Sequence, residues 1–150
     1  MTIAHYEYET SEDCFYYEFC SEGPKGKIRK AILFKQVNLQ GNSYFNLAFG
    51  DLNEGGVLDD LVISNNHDAE KVLATVAQAV INFTNVYTDA LVYAEGSTPA
   101  RTRRYQMGIN KFWKEIDADF KVFGLLKDKG FESFKPGKNY NGFAVTRKKL

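Results

Sequence analysis

Three arginines follow a proline in the segment 96–105, GSTPARTRRY, which makes this segment the best candidate for chemistry in the chain. Pro99 is favoured at the first position of a helix, and Thr98 or Ser97 can cap that helix through its hydroxyl. A helix N-terminus carries partial positive charge, so arginines in its first turns are unfavourable unless an anion or carboxylates compensate for them. This electrostatic conflict predicts either a bound anion or nearby carboxylates at the start of the helix.

Helical spacing separates the roles of the three arginines. Arg101 lies four residues before Tyr105 on the apolar stripe, so we expect it to turn inward and either pair with a carboxylate or bind phosphate. Arg103 and Arg104 should remain more exposed, where Arg104 aligns with Lys111 on a basic face. The predicted anion-binding residues are Ser97, Thr98, Arg101, Arg103, Arg104 and Lys111. The carboxylates predicted to pair with Arg101 are Asp51, Asp59 and Asp60.

The acidic segment 51–60, DLNEGGVLDD, partly matches a calcium loop of the EF-hand kind. Its twelfth position is Val62 where such a loop needs a bidentate glutamate, and its flanks have the pattern of strands. We therefore expect a β-hairpin turn here and no metal. The sequence also contains no zinc-ligand spacing, no nucleotide-binding glycine loop and no nucleophile elbow, so we expect no cofactor.

The net charge of zero hides a strong asymmetry along the 150 residues. Residues 1–75 carry 12 acidic and 6 basic side chains, a balance of −6, whereas residues 76–150 carry 7 acidic and 13 basic, a balance of +6. Such a chain forms a dipolar surface, or its two halves neutralise each other across one core. The zero balance argues against strong non-specific DNA binding by the whole surface.

The lengths of the apolar runs and the spacing of the two cysteines predict where in the cell the protein is located. No window approaches the roughly 18 apolar residues of a membrane span, and the first residues lack the basic-then-apolar order of a signal peptide. Cys14 and Cys20 are too far apart on an extended strand for a disulfide, so we expect free thiols that pack in the core. These features predict a cytoplasmic protein without membrane contact.

The first 64 residues have the pattern of four strands, which are joined by short turns at 22–26, 40–42 and 51–56. The apolar period then changes to that of an amphipathic helix over Asp68–Tyr87. A short buried strand and a second helix over Pro99–Ile116 follow.

Two or three further strands complete the chain, in the order ββββ-α-β-α-ββ(β). Short turns between consecutive strands predict an α+β fold over 1–150, a single domain with a mainly antiparallel sheet and two helices packed on it. The order loosely resembles the Whirly and PUR folds, which bind single-stranded nucleic acid, by analogy of fold alone.

The segments 44–60, 71–84 and 96–110 (GSTPARTRRYQMGIN) resemble a family of small uncharacterised bacterial proteins, mainly from Bacteroidota. The resemblance covers most of the chain and implies no established activity. It suggests that such genes accompany toxin–antitoxin-like loci.

Three hypotheses for function fit these features. The first is a non-enzymatic module that binds a phosphate-bearing partner such as single-stranded nucleic acid or RNA, because arginines hold phosphates and aromatic rings stack bases. The second is a toxin-like ribonuclease that works without histidine. Its catalytic set would be Arg101, Arg104, Tyr105 and Glu95. The third is an interaction module that forms a homodimer through a sheet edge or an aromatic patch.

Overall fold

The structure, a computed structural model, describes residues 4–59 and 65–149. Three helices lie in these ranges: α1 (Ala69–Val86), α2 (Pro99–Lys111) and α3 (Trp113–Asp119). The strands of the same ranges are β1 (Glu9–Thr10), β2 (Tyr16–Gly23), β3 (Gly26–Leu39), β4 (Asn42–Leu52), β5 (Leu58–Asp59), β6 (Val92–Ala94), β7 (Phe120–Leu126), β8 (Gly130–Ser133) and β9 (Gly142–Arg147). Among the described helices, none has the length and apolar character needed to cross a membrane.

Hydrogen bonds link the strands in the order β1-β2-β3-β4-β6-β9-β7-β8, with β5 beside β4. Most pairings are antiparallel. The pairing of β4 with β6 is parallel, because the chain between them passes through α1 as a crossover. The predicted α+β fold with a mainly antiparallel sheet is therefore confirmed.

Local signals placed most elements correctly. The turn between β3 and β4 uses Gln40 and Gly41, with φ of 51° and 81°, the positive values that a tight hairpin turn requires. The predicted helix over Pro99–Ile116 is instead interrupted at Phe112, whose φ of −107° and ψ of 25° separate α2 from α3. Most of the predicted fourth strand, residues 57–64, lies outside the described residues.

The acidic segment forms the predicted hairpin between β4 and β5. The backbone N–H of Asn53 donates to Val57 O at 3.0 Å, and the backbone N–H of Val57 donates to Asn53 Oδ1 at 3.0 Å. Gly56 completes the turn with a φ of 76°. The side chain of Asn53 is thus used to close the turn.

The two cysteines are free, as predicted, but they do not pack together in a core. Cys14 lies in the turn before β2 with a φ of 64°, and Cys20 is exposed on β2. The expectation of two core thiols is wrong because Cys14 precedes the strand, so the even spacing does not place both on one strand face.

The chain divides into two compact units, and the long strands β3 and β4 contribute to both. We call Met1–Lys35 with Ala48–Val86 the acidic unit, and Gln36–Leu47 with Tyr87–Leu150 the basic unit. Residues 36–47 and 76–86 contain no charged side chain, so the balance of −6 belongs to the acidic unit and that of +6 to the basic unit. The charge asymmetry of the sequence therefore follows the structural division.

Aromatic packing holds α1 against the strands of the acidic unit. The rings of Phe83 on α1 and Phe34 on β3 stack at 4.2 Å between centroids, and both side chains are almost fully buried. Asn82 donates its side-chain N–H to the Tyr17 hydroxyl at 2.7 Å. Burial is the main cause that raises the pKa of Tyr17 to about 12.

A closed polar network lies beside this core. Tyr6 and Ser21 both donate their hydroxyls to Asp68 Oδ2, just before α1 begins. Asn66, which is 2% exposed, donates to Ser21 Oγ and accepts from the backbone N–H of Lys25 at 2.7 Å. In the described part of the chain, every buried side-chain nitrogen and oxygen has a hydrogen-bond partner.

Candidate functional site: a cleft at the start of helix α2

The segment 96–104 forms a strand-to-helix corner, as its sequence predicts. Thr98 is the N-cap of α2, and its hydroxyl accepts the backbone N–H of Arg101 at 3.2 Å. Thr102 Oγ1 accepts the N–H of Gly96 at 3.0 Å and so fastens the incoming chain to the helix. A Cβ on Gly96 would lie 2.3 Å from Thr102 N, so the close approach requires glycine.

A cleft of about 530 Å³ opens at this corner, within the basic unit. Its volume falls in the range of small-ligand sites. The corner and α2 form one side, and the loop before β9 forms the other. The lining residues are Glu95, Gly96, Ser97, Thr98, Pro99, Thr102, Arg103, Gln106, Asn139, Tyr140 and Asn141.

The structure brings three of the predicted anion-binding residues to the cleft: Ser97, Thr98 and Arg103. Arg103 is exposed, so its guanidinium is accessible to a ligand. Arg104 and Lys111 are also exposed but are not among the described lining residues. Arg103 is therefore the one arginine among the described lining residues, and anion binding by this set stays a prediction.

Arg101 is half-buried, and its inward direction stays a prediction. Its pairing with Asp51, Asp59 or Asp60 stays a prediction, and Asp60 lies outside the described residues. Asp51 has a partner that the sequence analysis missed, because Lys30 Nζ donates to Asp51 Oδ1 at 2.5 Å in the acidic unit. Both members of this ion pair are buried.

Fewer backbone donors face the cleft than a generic helix N-terminus would offer. Pro99 has no N–H, and the N–H of Arg101 is occupied by the cap. The side chains of Arg103, Asn139 and Asn141 are exposed polar groups on the lining and provide further donors. The donors that line the cleft are therefore mainly side-chain groups, whereas the sequence pattern had suggested free backbone N–H groups.

Gln106 holds the two sides of the cleft together. Its Oε1 accepts the backbone N–H of Tyr140 at 3.1 Å, and its Nε2 donates to the backbone carbonyl of Lys138. Sequence reasoning missed this residue because it assigned the inner face of α2 to the apolar stripe. Thr102 and Gln106 are buried polar residues four positions apart, so they lie on the same face of α2. This spacing is the sequence signal for the buried face of the helix.

The loop before β9 is fixed by a second set of contacts. The Tyr140 hydroxyl donates to Glu132 Oε2 at 2.8 Å, and Lys138 pairs with the same carboxylate at 2.9 Å. These hydrogen bonds, with that from Lys138 first, lower the pKa of Glu132. The far wall of the cleft is thus ordered before any ligand binds.

Charge in the cleft is mixed. Glu95 is exposed on the lining and lies beside the phenol of Tyr93. Burial, followed by the charge of Glu95, raises the pKa of Tyr93 to about 12, so this phenol stays neutral at physiological pH. In the described residues, no three acidic, histidine or cysteine side chains converge as metal ligands. The arrangement offers one cation, one carboxylate and several uncharged donors.

Comparison with known proteins supports a family assignment. Searches of curated proteins and of solved structures found no match to the chain. Residues 2–148 match the family described as a family of unknown function, DUF6934. Because the match spans nearly all of the 150 residues, the chain belongs to the DUF6934 family.

Proposed function

We propose that this protein is a non-enzymatic module that binds single-stranded nucleic acid, with a backbone phosphate held in the cleft at the start of α2. The observation that carries the proposal is the presence of Arg103 beside Ser97 and Thr98 on the lining of this cleft. Guanidinium groups bind phosphate through charge-assisted hydrogen bonds, and hydroxyls and amides add uncharged donors.

The charge distribution supports a polyanionic partner. The basic unit carries 13 basic and 7 acidic side chains, so a phosphate chain would meet an attractive field around the cleft. Arg104 and Lys111 contribute to this field from outside the cleft. The same proposal places the protein in the cytoplasm, where nucleic acid is abundant and both thiols stay reduced.

The test is fluorescence anisotropy with labelled single-stranded DNA and RNA of about 12 nucleotides at low salt. Arg103→Ala should weaken binding about tenfold, because it removes a charge-assisted hydrogen bond to phosphate. Arg104→Ala is the matched control, since it removes the same charge one residue away, outside the cleft lining, and should weaken binding about threefold at most. Binding should also fall steeply as salt is added. Absence of binding at low salt, or equal losses from the two variants, would contradict the proposal.

The position of Glu95 favours a second candidate function, the toxin-like ribonuclease. Glu95 lines the same cleft as Arg103, so a carboxylate that accepts the 2′-hydroxyl proton and a cation that stabilises the phosphorane are both present. Arg101, Arg104 and Tyr105, the other members of the predicted catalytic set, are not among the described lining residues.

Glu95→Gln separates the two functions. In a binding module the substitution removes a repulsive carboxylate, so affinity for a single strand should rise about two- to threefold. In a ribonuclease it removes the general base, so cleavage of a fluorogenic RNA should fall by about 100-fold or more. Growth arrest on expression that Glu95→Gln relieves would favour the enzyme and a role in a toxin–antitoxin-like locus.

A further inference from the structure

Three aromatic side chains form a row across the sheet of the basic unit. The rings of Tyr44 on β4 and Tyr93 on β6 meet edge to face, 6.2 Å apart and at 79°. Tyr93 meets Phe131 on β8 in the same manner, 6.1 Å apart and at 87°. Mutual contact restricts the orientation of each ring, so this aromatic row is organised without a ligand.

Two glycines show which face of the sheet the row occupies. A Cβ on Gly142 would lie 2.2 Å from the Tyr93 hydroxyl, whereas a Cβ on Gly124 would lie 2.3 Å from the ring of Tyr140. Gly142 pairs with Leu125 and Gly124 with Phe143, and successive residues of β7 point to opposite faces. Tyr93 and Tyr140 therefore lie on opposite faces of this sheet.

Burial differs sharply between these two faces. On the Tyr140 face, Phe134 and Phe143 are buried and Trp113 of α3 packs on Phe134 at 4.9 Å. On the face of the aromatic row, Phe131 is 53% exposed and both tyrosines are half-buried. Exposed aromatic surface is a feature of interaction sites, and Phe131 supplies it on this face.

Basic side chains adjoin the aromatic row. Lys121 is exposed on β7 and lies on the same face as Leu125, four residues along the strand. The exposed turn that leads into Phe131 has the sequence KDK at 127–129, so its two lysines and one aspartate give it a net charge of +1. Positive charge beside aromatic rings complements a ligand with alternating phosphates and bases.

The aromatic row and the cleft come close to each other at Glu95, where β6 ends. Glu95, two residues after Tyr93 on the same chain segment, lines the cleft and lies beside the Tyr93 phenol. Asn141, also on the cleft lining, directly precedes Gly142, over which Tyr93 lies. Tyr140, which also lines the cleft, lies on the opposite face of the sheet from Tyr93, so one extended ligand reaches both surfaces by passing around the end of β6 at Glu95.

We propose that the aromatic row stacks the bases of a single-stranded nucleic acid whose backbone phosphate occupies the cleft. This inference rests on the proposed function and adds a site for the bases, which the phosphate site alone does not supply. Every base has a π-face, so such stacking tolerates different sequences. Sheet-borne aromatic rings serve this purpose in single-strand recognition generally.

The test compares two ligands of equal charge: oligo(dT) of about 12 nucleotides and an abasic phosphodiester of the same length. The wild-type chain should bind oligo(dT) about tenfold more tightly than the abasic chain. Phe131→Leu, which keeps an apolar side chain and removes the π-face, should weaken oligo(dT) binding about tenfold and leave abasic binding unchanged. Phe131→Tyr should retain binding within about twofold, and Val57→Ala, at an exposed apolar residue of the acidic unit, should have no effect.

A tryptophan reporter gives an independent readout. In a Trp113→Phe background, Phe131→Trp places the sole indole on the aromatic row, since the chain has one tryptophan. Stacked bases should quench its fluorescence on titration with oligo(dT), whereas the abasic chain should leave it unquenched.

The outcomes separate the two proposals. Equal affinity of the wild type for both ligands, with Arg103→Ala still weakening both, would overturn base stacking and leave the phosphate site standing. No binding of either ligand at low salt would overturn both. Light scattering that shows a dimer, which Phe131→Leu dissociates, would assign the aromatic row to a second copy of this chain and overturn the inference.

Discussion

The acidic unit buries more polar side chains than the basic unit does, because six of the eight buried polar or charged residues in the described ranges belong to it. In the acidic unit, polar side chains such as Asn66 and Lys30 are buried and engaged with other protein groups. In the basic unit, Arg103 on α2 and Asn139 and Asn141 on the loop before β9 line an open cleft, and Phe131 of the aromatic row is exposed. Buried, satisfied polar groups specify a fold, whereas accessible ones are available for recognition. Under the proposed function, the acidic unit therefore stabilises the fold and the basic unit binds the ligand.

Removal of one partner from the buried ion pair should produce the largest loss of stability. Asp51 is 8% exposed, and Lys30→Met removes the cation that pairs with its carboxylate. The free energy of unfolding, measured by urea denaturation, should therefore fall by about 3 kcal/mol. Lys27→Met is the matched control, because Lys27 and Glu22 form an exposed pair 3.8 Å apart, and should cost less than about 0.5 kcal/mol. Equal effects of the two variants would remove the contrast between buried and accessible polar groups.

One asparagine from each unit allows a second comparison of a buried polar side chain with an accessible one. Asn66→Ala should lower the free energy of unfolding by about 2 kcal/mol, because it leaves the Lys25 N–H and the Gly26 carbonyl without their partner. Asn141→Ala, at an exposed residue of the cleft, should change it by less than about 0.5 kcal/mol. Thermal denaturation of the two variants checks the difference. A larger loss from Asn141→Ala would show that the cleft is structural.

Alkaline pH should lower the free energy of unfolding gradually, through one tyrosine in each unit, and by less than the substitutions above. Tyr17 in the acidic unit and Tyr93 in the basic unit each have a pKa of about 12 in the folded chain, against an ordinary value of 10.0. The unfolded chain loses these protons first, so stability is intact below pH 10 and falls as pH rises toward 12. Tyr17→Phe and Tyr93→Phe should each flatten this fall in urea denaturation. Unchanged slopes in both variants would contradict the raised pKa values.

Local sequence signals predicted the elements that depend on neighbouring residues. Pro99 and Thr98 marked the start of α2, and glycine-containing turns marked the hairpins, because capping and positive φ are decided within a few residues. The break at Phe112 escaped prediction because the apolar stripe continues through it. Periodicity reports a buried face and not the continuity of the helix axis.

Features that join distant parts of the chain were harder to predict. Lys30 and Asp51 are separated by 21 residues, and their pairing requires the face and register of two strands. The aromatic row links β4, β6 and β8, so it becomes visible only when the pairing of five strands is known. The corner of the candidate site is predictable from local sequence, whereas the position of the opposite wall at 139–141 depends on tertiary structure.

Backbone chemical-shift mapping tests the assignment of binding to the basic unit most directly. The ¹⁵N-labelled chain is titrated with oligo(dT) of about 12 nucleotides at low salt. The largest shifts should fall on residues 95–103, 139–142 and the amides around Tyr93 and Phe131, while α1 and β2 of the acidic unit remain near their free positions. Largest shifts on the acidic unit, or no shifts at saturating oligonucleotide, would contradict the account.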